Sequence, residues 1–123
     1  MSNQRAAERN ELLAFALQFP EAYLDQPWGE DVVKVRGRIF VFLGAAGPDL
    51  GIGVKLPLSS YLATSQPFAK PMAYGLGKAG WVSTRFGPGD DPPLELLRDW
   101  IDESYRAVAP RKLAEGAPRR GRS

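Results

Sequence analysis

Histidine and cysteine are both absent from the 123 residues. Their absence removes thiol nucleophiles, disulfides, Cys/His zinc sites, iron–sulfur clusters, histidine-ligated haem and histidine acid–base catalysis. Chemistry is left to carboxylates, lysines, hydroxyls and glycine-rich backbone. Gly75-Leu76-Gly77-Lys78-Ala79-Gly80 spells GxGxxG. A pyrophosphate-binding turn needs a strand before that motif and a helix after it. Here Pro71 precedes and the apolar strand follows, from Trp81. The segment therefore reads as a glycine-rich hairpin tip, whose backbone N–H groups and Lys78 could contact a phosphate.

Tyr74 and Lys78 also have the Tyr-x-x-x-Lys spacing of short-chain dehydrogenases. Without a dinucleotide fold that pair has no cofactor to serve. Asp90-Asp91 are adjacent, so their side chains diverge, and they read as helix N-terminal caps. Asp99, Asp102 and Glu103 read as a solvated acidic helix face. Ser59-Ser60 and Ser83-Thr84 have no activating base nearby in sequence. These residues predict no enzyme, no cofactor and no metal site.

Basic residues interleaved with aromatics remain. The net charge of +2 is unevenly distributed. Residues 44–86 carry Lys55, Lys70, Lys78 and Arg85 against Asp49 alone, whereas 87–108 carry two basic and six acidic groups. Arg119, Arg120 and Arg122 lie in the last few residues, and without 114–123 the chain has 13 basic and 13 acidic groups. The apolar runs Leu12 to Leu17 and Ile39 to Leu43 are far short of the roughly 20 residues of a membrane span. No apolar segment as long as a signal-peptide core, about 7–15 residues, follows the polar first ten residues, so the expected location is the cytoplasm.

The elements that must position these residues follow from periodicity. Leu12, Phe15, Ala16 and Phe19 share one face of a helix over 4–19 that Pro20 stops. Val32 to Val35 and Ile39 to Leu43 read as strands. Leu50, Ile52, Val54 and Leu56 alternate with Gly51, Gly53 and Lys55, giving a strand with one buried face. A short helix over 58–65 and a strand over 81–86 follow. Asp90-Asp91-Pro92 opens a last helix whose apolar stripe is Leu94, Leu97, Ile101, Tyr105 and Val108. The expected architecture is α+β: an antiparallel sheet with the N- and C-terminal helices packed on one face. Residues 1–113 form the single domain, and 114–123 read as a disordered basic tail.

A hairpin 38–43/50–56 with Leu43 opposite Leu50 would put Val41 against Ile52 and Ile39 against Val54, beneath the helices. The other face would carry Phe42 over Gly51, Phe40 over Gly53 and Arg38 opposite Lys55. Aromatic rings over cross-strand glycines stabilise a sheet. Two facing cations destabilise it unless an anion joins them. Trp81 and Arg85 would share that outer face.

The order of motifs resembles a known family. It runs Leu17-x-Phe19-Pro20, Pro27-Trp28-Gly29, Val33-x-Val35-x-Gly37-Arg38-Ile39-Phe40, Gly53-Val54-Lys55-Leu56-Pro57 and Gly77-Lys78-x-Gly80-Trp81-Val82. A helix with Leu97, Ser104-Tyr105 and Lys112-Leu113 completes it. This resembles the MmcQ/YjbR family of small bacterial proteins over about 11–113. Arg38 stands where members commonly have lysine, and the arginine-rich tail lies outside the family pattern. The resemblance implies a CyaY-like (frataxin-like) two-layer sandwich and a DNA-binding label resting on a "double wing" of hairpins. Frataxin-like iron binding does not carry over, because Glu8 and Glu11 of the first helix are balanced by Arg5 and Arg9.

Two functions are expected on these grounds. One is a non-enzymatic DNA-binding module, with Arg38, Lys55, Lys70, Lys78 and Arg85 on phosphates and Tyr74 and Trp81, with Phe40 and Phe42, as stacking surface. The other is a protein- or small-molecule-binding module, such as a homodimer through the outer sheet face, favoured by the charge balance of residues 1–113.

Overall fold

The structure, a computed structural model, describes residues 4–44, 47–73 and 75–117. Helix α1 (Gln4–Leu17) is followed by strands β1 (Tyr23–Asp25), β2 (Asp31–Val35), β3 (Arg38–Gly44) and β4 (Gly53–Lys55). Then come α2 (Ser60–Thr64), β5 (Ala69–Pro71), a 3-10 turn (Leu76–Ala79), β6 (Trp81–Thr84), α3 (Leu94–Val108) and α4 (Arg111–Gly116). The six strands form one antiparallel sheet in the order β1-β2-β3-β4-β6-β5. Helices α1 and α3 pack against each other and on the central strands, as an α+β sandwich requires. The core between the layers joins Leu12, Ala16, Val33, Val41, Val54, Val82, Leu97 and Ile101. Leu50, Ile52, Val54 and Leu56 are all buried, so their alternation marks the core face correctly.

Helix α3 starts at Leu94, later than Asp90-Asp91-Pro92 suggests. The Asp90 carboxylate instead accepts the Gly87 N–H at 2.7 Å and closes the 87–90 turn. Residues 114–116, expected within the tail, belong to α4. There Arg106 of α3 donates to the Ala114 carbonyl at 2.6 Å, and Ala117 is buried. The rest of that tail, 118–123, lies outside the described residues.

The largest departure is in β3. Asp31 pairs with Gly44, Val32 with Phe42, Val33 with Val41 and Lys34 with Ile39. Leu43 and Phe40 are therefore extra residues, each a bulge. A bulge inverts the alternation beyond it. Phe40 consequently turns into the core and is fully buried, not exposed on the outer face. Its ring meets Tyr105 edge-on at 5.2 Å and Phe19 at 6.2 Å, and Phe19 stacks on Tyr105 at 4.5 Å. The Tyr105 hydroxyl donates to the Pro20 carbonyl at 2.9 Å.

The bulge also shapes the β3–β4 ladder. That ladder joins Val41 to Val54 and Phe42 to Gly53, two residues away from the expected register. The reason is that Leu50 exchanges two backbone hydrogen bonds with Phe86 (2.9 and 2.7 Å), on the opposite side of its strand. The same register would put Phe40 opposite Lys55. There the Ser104 hydroxyl enters instead: it accepts the Lys55 N–H at 2.8 Å and donates to the Phe40 carbonyl at 2.5 Å. Ser104 is fully buried.

Acidic groups placed on a solvated face of α3 also have structural partners. Asp102 is buried and pairs with Arg106 at 2.5 Å. Glu103 accepts the Leu58 and Ser59 N–H groups at 2.9 and 3.0 Å and the Ser59 hydroxyl at 2.6 Å. It thus holds the turn entering α2, which has no side-chain cap of its own.

Ser104→Ala would leave a buried N–H and a buried carbonyl without partners. The expected loss is about 1–3 kcal/mol, measured by urea denaturation with an unchanged denaturant slope. A loss below about 0.5 kcal/mol would show that the strands close over the gap by themselves. The acid limb of stability should depend on Asp31. Gln26 and then Arg9 donate to its carboxylate and hold it below the ordinary carboxylate range. A lowered folded-state value gives stability present above the unfolded pKa and lost as pH falls through the folded one. The urea midpoint should therefore drop between about pH 5 and pH 2, and Asp31→Asn should show a smaller drop than the parent. Equal drops would assign the acid limb to other carboxylates.

Candidate nucleic-acid interface

Directly paired residues share a face, so the register identifies the sheet surface away from the helices. One row across it is Val32, Phe42, Gly53, Ser83 and Lys70. A neighbouring pair on the same face is Lys55 and Trp81. Trp81 and Phe42 meet edge-on across β4, with centroids 5.4 Å apart. Gly53 makes this possible, because a Cβ there would collide with the Met72 methyl and stand 3.3 Å from the Phe42 side chain. Phe42, Met72, Trp81 and Lys55 are all half-buried. An aromatic does lie over a cross-strand glycine, though the pair is Phe42 with Gly53 rather than Gly51.

The charges sort clearly. Arg5, Arg9, Lys34, Arg36, Arg85, Arg98, Arg106 and Arg111 each make an ion pair. Among the described residues, the cations without a carboxylate partner are Arg38, Lys55, Lys70, Lys78 and Lys112. Lys34 is on the outer face too, but its ammonium donates to Asp25 at 2.7 Å and holds that carboxyl below its usual range. Arg85 lies at the end of β6, exposed, with its guanidinium on Asp49 at 2.5 Å.

The sequence-predicted residues are thus only partly gathered. Lys55, Lys70 and Trp81 share the outer face, and Lys78 is exposed on the 3-10 turn joining β5 to β6. Arg38 does not face Lys55. It pairs with Val35 beside the Arg36-Gly37 turn, on the opposite side of the sheet, because the Phe40 bulge reverses the alternation. Phe40 is core and offers no stacking surface. Tyr74 lies outside the described residues. Met72 and Gly53 gain their roles from the β3–β4 register, which the hydrophobic pattern alone did not give. Ser83 was legible from the alternation of 81–86.

The GxGxxG segment has a packing explanation. The N–H groups of Leu76, Gly77, Lys78 and Gly80 donate to Ala73, Met72, Gly75 and Gly77 carbonyls, so they form no phosphate cradle. Gly80 has φ +93°, and its Cβ position lies 3.3 Å from the Leu56 carbonyl and Pro57. The Leu56 N–H in turn donates to the Gly80 carbonyl at 2.8 Å. Gly77 packs against Pro71, leaving no room for a side chain.

The family model described as YjbR matches residues 17–107. The chain belongs to the YjbR family. The matched span runs from the end of α1 to the end of α3, so it includes the Ser104 bridge and the whole outer face. A similar solved structure is Deinococcus radiodurans protein DR2400, whose domain is described as DUF419. It is 22% identical, covers 80% of this chain and 75% of its own, and superposes with a TM-score of 0.66. It supports the YjbR fold and, at that identity, the fold alone. No curated protein matches the chain. Among the described residues no helix is long and apolar enough to cross a membrane.

Gly80→Ala should destabilise this YjbR chain by about 1–3 kcal/mol, through a strained backbone as well as a tight contact. Gly75→Ala, with φ +78° but open space, should carry only the backbone part, about 1–2 kcal/mol. Equal losses in thermal or urea unfolding would show that the approach of Gly80 to the Leu56–Pro57 backbone is unimportant.

Proposed function

We propose that this protein is a non-enzymatic nucleic-acid-binding module acting in the cytoplasm, and that it binds through the outer sheet face. The observation that carries this reading is the placement of unpaired charge. Among the described residues Lys55 and Lys70 have no carboxylate partner, and they stand on the one face that also presents Trp81 and Phe42. Lys78 extends that charge along the β5–β6 connection. Cations on phosphate with aromatics on bases is the common plan of sheet-based nucleic-acid binders. DNA is the family's implied ligand. Arg85 contributes only by leaving Asp49, and Arg38 belongs to another surface.

A second reading is a symmetric homodimer, or another protein or small-molecule contact, through the same face. The half-buried Phe42, Met72 and Trp81 favour it, since among the described residues they stand outside the core cluster.

The test is binding of single-stranded and duplex oligonucleotides to the full chain across a salt series. Each phosphate contact removed should reduce the salt slope by about 0.7 on a single strand or 0.9 on a duplex. Lys55→Ala with Lys70→Ala should therefore flatten the slope by roughly twice those amounts, with the terminal arginines held constant. Lys112→Ala, an unpaired cation on α4, should leave it unchanged. If the double variant keeps the parent's slope, the outer face is not the contact. A doubled mass in sedimentation, lost on Trp81 substitution, would favour the dimer.

A further inference from the structure

Beside Phe42 the outer face is not flat. Phe42, Gly51, Met72 and Ser83 are among the residues lining an open groove of about 590 Å³, where the Met72 methyl and the Phe42 ring lie over Gly53. Lys70 stands at one end and Glu30 at the other. Asp49 and Arg85 also line it but neutralise each other. The groove is therefore polarised, with a free ammonium on the β5 side and a carboxylate on the β2 side. The Ser83 hydroxyl has no hydrogen-bond partner among the described residues. From Gly53 to Lys70 is two strand spacings, about 10 Å, within reach of a lysine side chain and one sugar-phosphate.

Resting on the nucleic-acid reading above, we infer that this groove takes one unpaired nucleotide, so that the protein selects single strands over duplex. Phe42 and the Met72 thioether supply the apolar wall for a base. Ser83 offers a donor and an acceptor to its edge, and Lys70 holds the phosphate. Glu30 repels phosphate from the far end and so fixes the direction in which the nucleotide lies. A base inside a duplex cannot enter, because its faces are covered by its neighbours and its pairing edge by its partner. The match between the Lys70 ammonium and a phosphate favours this occupant over a second copy of the chain, which would bring the same lysines against themselves.

The experiment uses the full chain with a short fluorescent single strand, the same strand carrying abasic sites, and its duplex. The single strand should bind at least ten-fold more tightly than the duplex and quench Trp81, which touches Phe42. Abasic strands, tested on the unaltered protein, should lose roughly 5- to 150-fold, the range for one stacked base. Phe42→Leu keeps apolar bulk but no ring and should lose a similar factor, while Ser83→Ala should alter base preference. Glu30→Gln should strengthen binding or leave it unchanged. Equal affinity for duplex and single strand, or abasic strands bound as well as normal ones, would overturn the groove while leaving the nucleic-acid reading intact. No binding of any oligonucleotide at low salt would sink both.

Discussion

The Ser104 hydroxyl between Phe40 and Lys55 is the interaction on which the rest of the sheet depends. A bulge at Phe40 leaves a carbonyl and an N–H facing a gap in the middle of the sheet, between its third and fourth strands in spatial order. Burying both without partners would cost several kcal/mol in a domain whose whole stability is about 5–15. One hydroxyl from α3 satisfies both, as acceptor for Lys55 and donor to Phe40. Because the bridge comes from the helix, it also fixes α3 over β3 and β4. The adjacent Tyr105 then reaches Phe40, Phe19 and the Pro20 carbonyl, tying the end of α1 to the same point. The helix layer and the sheet are thus set against each other by two successive residues.

The same bulge decides which side chains reach the outer face. It takes Phe40 into the core and sends Arg38 to the other surface, so the two cations expected to repel each other never meet. What remains outside is a smaller group: Phe42 and Trp81 closed over Gly53, with Lys55 and Lys70 beside them. The bulge therefore concentrates the aromatic surface on β3, β4 and β6 and separates it from the β2–β3 turn. That turn has its own lock: Arg36 and Glu21, the two non-glycine residues with positive φ among the described residues, are joined through two hydrogen bonds.

Much of this was legible in the sequence, and the failures have identifiable causes. The stripes Leu12/Ala16 and Leu97/Ile101/Tyr105 marked both main helices, because burial on one helix face leaves a 3.6-residue period. Leu50 to Leu56 marked a strand face for the corresponding reason. An even register slip of two residues kept that face correct even though its partners were wrong. The odd insertion at Phe40 could not be absorbed in this way, since Arg-Ile-Phe-Val-Phe-Leu alternates no differently with or without a bulge. β1 and β5 went unread because three-residue strands with Pro71 or Tyr-Leu-Asp carry no period. Ser104, unlike Tyr105, was visible only as part of a family pattern. Its reason is the hydroxyl bridge between Lys55 and Phe40, which no local rule contains.

Net charge is a poor guide to this surface, and the ion pairs explain why. Eight described cations sit against carboxylates, so beyond about a Debye length of 8 Å at physiological salt their fields largely cancel. Lys55, Lys70 and Lys78 have no such partners among the described residues, and their potential reaches a ligand approaching the outer face. A chain balanced at 13 against 13 over residues 1–113 can therefore still present a locally positive platform. The acidic groups that produce the balance are largely engaged elsewhere: Asp102 with Arg106, Glu103 at the entry to α2, Asp90 in a turn. Their charge is committed to structure on the helix side, whereas on the sheet side Lys55 and Lys70 stand with Glu30 and the paired Asp49. In the proposed function, affinity would then rest on a few contacts. It would fall more gently with salt than that of a strongly basic protein, and base stacking would carry a correspondingly larger share of it.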